Sequence, residues 1–234
     1  MKVSVTSKNT RKEFILICLL VVYLIGLADA QGTTALKEKK VLLSQLIKLN
    51  DESIPRILVR QISEKNNLYY GVVYDNDSVV SPIGTSNLIQ TLMCSYVSRD
   101  SKYYQSKEAL QRLTMAATGL LSLQHDDGTI DLLSTNFHST PDLGFTIYPL
   151  ALAYSIMLQN SQLDYGEFPI LIKQYLVNAG KALSVGGIHT PNHRWVVCGA
   201  LAWLHTFFPN PKYKARVEQW LAEKIDIDPD GQYH

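Results

Sequence analysis

Apolar residues recur with a helical rhythm along most of this chain. Leu36, Val41, Leu42, Leu46 and Leu49 follow a 3.6-residue period and predict a helix over 34–64. Pro55 suits a first helical turn, so a second short stretch, Ile57 to Ile62, is expected within that range. Residues 65–83 contain Asn-Asn, Asp-Asn-Asp and Ser-Pro-Ile-Gly, which predicts a loop with room for one short strand at Tyr69–Tyr74. Six helices are then expected, at 86–98, 105–123, 144–159, 167–183, 193–208 and 211–224, with polar loops at 124–143 and 184–192. Asn210-Pro211 starts the last of them, a cap followed by a first-turn proline. Its apolar stripe is Tyr213, Val217, Trp220 and Leu221.

The pattern repeats. Thr140-Pro141-Asp142 and Thr190-Pro191-Asn192 lie 50 residues apart, and at the same offset Phe145 matches Trp195 and Ile147 matches Val197. Each motif opens a helix that reads as apolar nearly all round, Phe145–Met157 and Trp195–Phe208, followed by a more amphipathic one. A helical hairpin of about 50 residues, buried helix then exposed helix, is therefore the repeating unit. The fold class is all-α, in two layers, and either a closed ring of hairpins or an open solenoid covers the inner layer. A six-hairpin ring needs roughly 300 residues, and only about three and a half hairpins are legible. The turn Asp228-Pro229-Asp230-Gly231 resembles Asp126-Asp127-Gly128, as though another repeat were beginning. The chain is expected to be the N-terminal part of a longer fold.

Composition narrows the setting. The chain has 234 residues, 46% hydrophobic and 18% charged, which suits a packed core and argues against disorder. Residues 1–30 stand apart. Lys2, Lys8, Arg11 and Lys12 precede an apolar run, Phe14 to Leu27, and a small-x-small site, Ala28-Asp29-Ala30. That is the grammar of a secretory signal peptide cut before Gln31, and the run is short for a bilayer span of about 20 residues. The mature domain is then 31–234, periplasmic or secreted, with no stable membrane insertion after cleavage. Of 22 basic and 21 acidic residues, the signal removes those four basic residues with Glu13 and Asp29, leaving a net charge of −1. No basic excess remains to hold nucleic acid, so any grip on an anion must be local. Cys94 and Cys198 fall in apolar helices and read as small hydrophobes. No CxxC or HExxH pattern suggests a metal, and no cofactor is expected.

The candidate chemistry gathers before the two apolar helices. The first loop supplies Asn136, His138, Ser139 and Asp142, and the second supplies His189, Asn192, His193 and Arg194. Both should open on one rim, with the Asp126–Asp127 and Asp228–Asp230 turns coming round to the same end. Titratable and amide groups converging at the mouth of a buried helix are the raw material of an active site. Plain structural roles stand beside this reading. Asp142 and Asn192 sit where helix N-caps belong. His138 can bond a loop carbonyl, and Arg194 can pair with Asp142 or another loop acid. Tyr148, Tyr154, Trp203 and Phe207 have the spacing of core residues. His193 beside Asn192 is the pair that packing explains least.

The run GGIHTPNHRW, with STNFHSTPDLGF before it and DIDPDGQY after it, resembles the toroid domain of heparinase II/III-like and alginate-lyase-like polysaccharide lyases over roughly residues 84–234. The resemblance implies an incomplete (α/α) toroid and β-elimination of uronate-containing polysaccharides. The hard step is loss of the C5 proton beside a carboxylate. It needs a donor that lets negative charge build there, a role for Asn192, and a base of near-neutral pKa, a role for His193. Asn136, His138, Asp142, His189, Arg194 and Tyr233 would bind substrate. A tyrosine commonly serves as acid or base in such lyases. Tyr233 is the one in reach, but the working tyrosine is expected beyond His234, with the remaining hairpins and, in many members, a β-sandwich domain. A chain lacking them is expected to be inactive. Two rival readings remain. One is a glycoside hydrolase on the same toroid, acting on uronyl sugars through Asp142 with Asp127 or Asp230 as its carboxyl pair. The other is a non-catalytic helical module that binds an acidic glycan.

Overall fold

The computed structural model describes residues 36–188, 190–224 and 229–231. The expected signal peptide, His189 and Tyr233 lie outside the described residues. The chain divides into two units, Met1–Leu46 and Ile47–His234. In the first, residues 36–46 are helical, and Leu36, Val41, Leu42 and Leu46 are all more than half exposed. The second unit begins with a helix, α1, over 47–58, which runs through Pro55 without a break. The separate stretch expected from Ile57 to Ile62 does not form; instead Gln61 makes a single bridge to Val73.

The loop expected at 65–83 holds a short antiparallel pair, β1 (Val73–Tyr74) and β2 (Val80–Ser81), with Val73 opposite Ser81. It crosses the next hairpin at backbone distance. Gly71 has φ +89°, and a Cβ there would meet the Met115 carbonyl at 1.9 Å, so only glycine fits. Helices α2 (Pro82–Val97) and α3 (Lys107–Ser122) make the first helical hairpin, α4 (Thr140–Gln159) and α5 (Phe168–Leu183) the second, and α6 (Pro191–Phe207) and α7 (Pro211–Ala222) the third. Helix α4 packs between α2 and α6, and α3 packs on α5, so the hairpins stand side by side in two layers. This is the mostly helical, two-layer architecture that the repeat predicts.

The layers meet over wholly buried apolar side chains. Leu88 and Leu92 on α2, Ile147 and Leu150 on α4, Ile172 and Leu176 on α5, and Leu201 and Leu204 on α6 are fully shielded from solvent. Each such side chain contributes on the order of 1.5–3 kcal/mol by leaving water. Polar ties sit among them. Tyr175 on α5, fully buried, bonds the Thr146 hydroxyl on α4 at 3.0 Å. Buried Asp51 on α1 accepts from Ser95 Oγ at 2.5 Å, Ser101 Oγ at 2.7 Å and the Lys102 amide at 2.9 Å. That one carboxylate joins α1 to α2 and to the connection that follows α2.

Two expectations change here. The polar loop at 124–143 contains a second antiparallel pair, β3 (Ile130–Leu132) and β4 (Asn136–Ser139). The α4 and α6 helices are apolar along most of their length, as expected, but they are not buried all round. Phe145 (36%), Tyr148 (61%) and Trp195 (49%) keep large exposed fractions along one side of the inner layer. Among the described residues, no helix is long and apolar enough to cross a membrane.

Candidate functional site

Both inner helices start as the motif requires, but their caps lie upstream of the residues expected. Ser139 caps α4, its hydroxyl accepting from the Asp142 amide at 3.2 Å. Thr190 stands at the α6 N-cap without a side-chain cap bond. Asp142 and Asn192 are therefore first-turn residues rather than caps. An acid in a first turn still faces the positive end of the helix dipole, and the Asp142 carboxylate accepts from Ser139 Oγ at 2.5 Å and from Asn136 Nδ2 at 2.9 Å.

A second network braces the strands ahead of α4. The His125 and His138 rings stack with centroids 3.9 Å apart. His125 Nε2 lies 2.8 Å from Asp131 Oδ1, and His138 Nδ1 lies 3.1 Å from Asp127 Oδ2. His138 bonds a carboxylate, not the loop carbonyl expected, and its backbone amide also donates to Asp131 at 2.8 Å. This holds His138 in the left-handed region, φ +49°, an unusual conformation for a side chain with a Cβ. Bonds from Thr129, its hydroxyl and then its amide, lower the Asp127 carboxyl to about 2 against slight burial, with His138 adding to the effect. Burial works against the ionised form of Asp131, yet the His138 amide and the His125 ring hold it below the usual carboxylate range. Gly128, at φ +86°, closes this turn against α5, where a Cβ would meet the Asn178 carbonyl at 2.3 Å.

Helix α6 begins beside α4. Thr140 Oγ1 donates to the Gly187 carbonyl at 2.7 Å, and a Cβ on Gly144 would touch Val196 at 3.0 Å. Asn192 is exposed and takes a short hydrogen bond from the Thr190 hydroxyl. The His193 ring meets Phe145 edge-on with centroids 6.1 Å apart. Phe145 also lines a groove of about 550 Å³ with Tyr148, Trp195 and Trp203, between the inner helices. Tyr148 thus belongs to an open surface rather than the core. Tyr154 and Phe207 pack together at 5.1 Å, as core residues should.

Arg194 does not join this rim. Its guanidinium pairs with Glu223 at 3.1 Å and donates to the Lys224 carbonyl, so it secures the end of α7 rather than meeting Asp142. Among the described residues no hydrogen bond links Asn192 or Arg194 to the Asn136–Asp142 set. His125 and Asp131 were not singled out from sequence. The available signal was the His-Asp-Asp-Gly-Thr-Ile-Asp run, a tight turn leading into a strand that carries an acid between two apolar residues. Burial raises both Cys94 and Cys198 above the usual thiol range, which fits inert packing residues. Among the described residues no group of His, Cys, Asp and Glu side chains could hold a metal ion. No known family profile matches the chain, and neither a curated protein nor a solved structure matches it.

Proposed function

We propose that this chain forms part of an (α/α) toroid in an exported lyase that cleaves uronate-containing polysaccharides by β-elimination. The observation that carries the reading is the aromatic groove with His193 at its edge. Exposed rings along a cleft suit the apolar faces of sugar rings, and a few polar groups at the rim suit orientation and chemistry. His193 takes the C5 proton. Asn192, on the same first turn, donates to the uronate carboxylate as charge develops there. His138, Asn136 and Asp142 border the substrate from the start of α4. In the hydrolase alternative, Asp127, its carboxyl held at about 2, is left the role of base or nucleophile, and the acid must be its partner Asp142.

The assay incubates the protein, expressed from the whole reading frame that carries this chain, with a panel of uronate polysaccharides. Unsaturated product is followed by its ultraviolet absorbance. Product formation by the parent protein, lost in His193→Ala, is the expected result. Reducing ends without unsaturation would favour the hydrolase, and binding without either product would favour the glycan-binding module.

A further inference from the structure

The rim described above is rich in acids, and Arg194, which leaves it, is committed to Glu223. A cationic site on the second unit is therefore to be sought elsewhere. Outside the groove, a cavity of about 350 Å³ is lined by Arg60, Gln61, Ser63, Glu64, Asn67 and Arg112, among others. It shares no lining residue with the aromatic groove. Among the described residues neither arginine makes an ion pair. Arg60 donates once, to the Asn76 side-chain carbonyl at 2.9 Å. Arg112 reaches only the Gln61 side-chain oxygen, at 3.4 Å.

The cavity wall is built rather than incidental. Gln61 is 5% exposed, and its amide nitrogen donates to the Gly71 and Arg112 carbonyls, each at 3.1 Å. The amide is thereby fixed, and its oxygen is turned toward Arg112. A guanidinium has five N–H donors, so most of the donors on both arginines are left for a ligand. Two planar forks at one concavity match oxygen pairs in bidentate geometry, for which a lysine ammonium is a poorer fit. Glu64 at the rim leaves one net positive charge. That balance favours a singly charged group over a doubly charged phosphate or sulfate.

We propose that Arg60 and Arg112 form a carboxylate-binding pocket. The site stands whether or not the groove carries out lyase chemistry. The carboxylate can come from a uronate unit of a glycan chain or from a small free acid.

Calorimetric titration of the full chain at low ionic strength tests this with sodium glucuronate, sodium acetate, a defined oligouronate and sodium sulfate. Saturable glucuronate binding is expected, weakened at least tenfold in Arg60→Gln and in Arg112→Gln and partly restored in Arg112→Lys. Arg60 is held through a single exposed contact, so its variant keeps the test meaningful if Arg112→Gln fails to fold by circular dichroism. Acetate binding as well as glucuronate supports the pocket and points to a free acid; oligouronate binding at least tenfold tighter supports it and points to a glycan. Absence of saturable carboxylate binding, binding unchanged in the folded glutamine variants, or sulfate binding more tightly than carboxylate overturns the proposal.

Discussion

The starts of α4 and α6 share a sequence pattern and differ in what holds them. At α4, Ser139, Asp142 and Asn136 bond one another, and a hairpin fixed by two histidine–aspartate pairs stands in front of them. At α6 the cap residue makes no side-chain cap bond, and exposed Asn192 takes a bond from its neighbour Thr190. The same Thr-Pro-Asx motif thus gives one start whose first-turn acid is bonded on both sides and one whose first-turn amide, Asn192, stays exposed. In the proposed reading, α4 is the brace and α6 the working edge.

The largest effect expected is on turnover. His193→Ala should lower the rate of unsaturated-product formation by about 10²–10⁴-fold, the usual contribution of a positioned general base. His138→Ala should cost less than tenfold. Equal losses from both, or a larger loss from His138→Ala, would break the comparison. Next comes the seam between the two starts. A Cβ on Gly186 would lie 2.2 Å from Thr140 Cγ2, while a Cβ on Gly187 meets nothing. Gly186→Ala should therefore destabilise by about 1–3 kcal/mol, as overpacking does, with Gly187→Ala close to neutral in chemical denaturation. The caps give a smaller contrast. Ser139→Ala should cost about 1 kcal/mol, in the usual range for a lost N-cap, and Thr190→Ala much less in the same experiment.

The smallest effect concerns acid. Asp127 is held at about 2, below an ordinary carboxyl. Its contribution is present above the ordinary carboxylate range and is lost as pH falls through about 2. It is modest, because the side chain is more than half exposed. Melting temperatures from pH 5 to pH 2 should show a shallower decline for Asp127→Asn than for the parent protein. Parallel curves would remove Asp127 from the brace.

The helices were legible because their cores are: the Tyr213–Trp220 stripe and the Asn210-Pro211 start are local signals that tertiary packing reinforces. The starts of α4 and α6 were harder. Asp and Asn are good caps anywhere, so Asp142 and Asn192 outcompeted Ser139 and Thr190 on residue type alone, although the backbone turns helical earlier. The strands at 130–139 escaped because they are three and four residues long, too short for a period of two to stand out from a polar loop. Tyr148 and Trp195 show the deeper limit. An apolar helix announces that its surface avoids water, but not which side has a neighbour. Exposure was set by the arrangement of whole hairpins, which no local window contains. The pairing of Arg194 with Glu223 is of the same kind, since it joins opposite ends of one hairpin.

Asp51 carries a consequence for how the protein breathes. Its carboxylate closes the hydrogen bonds of Ser95, Ser101 and the Lys102 amide, so the connection after α2 cannot peel away by itself without taking two of three donors from a buried carboxylate. Opening there is thereby coupled to a helix some fifty residues earlier in the chain. A stretch that by its looks is a surface loop inherits the protection of the helix it is tied to, and fluctuations there report on the release of α1.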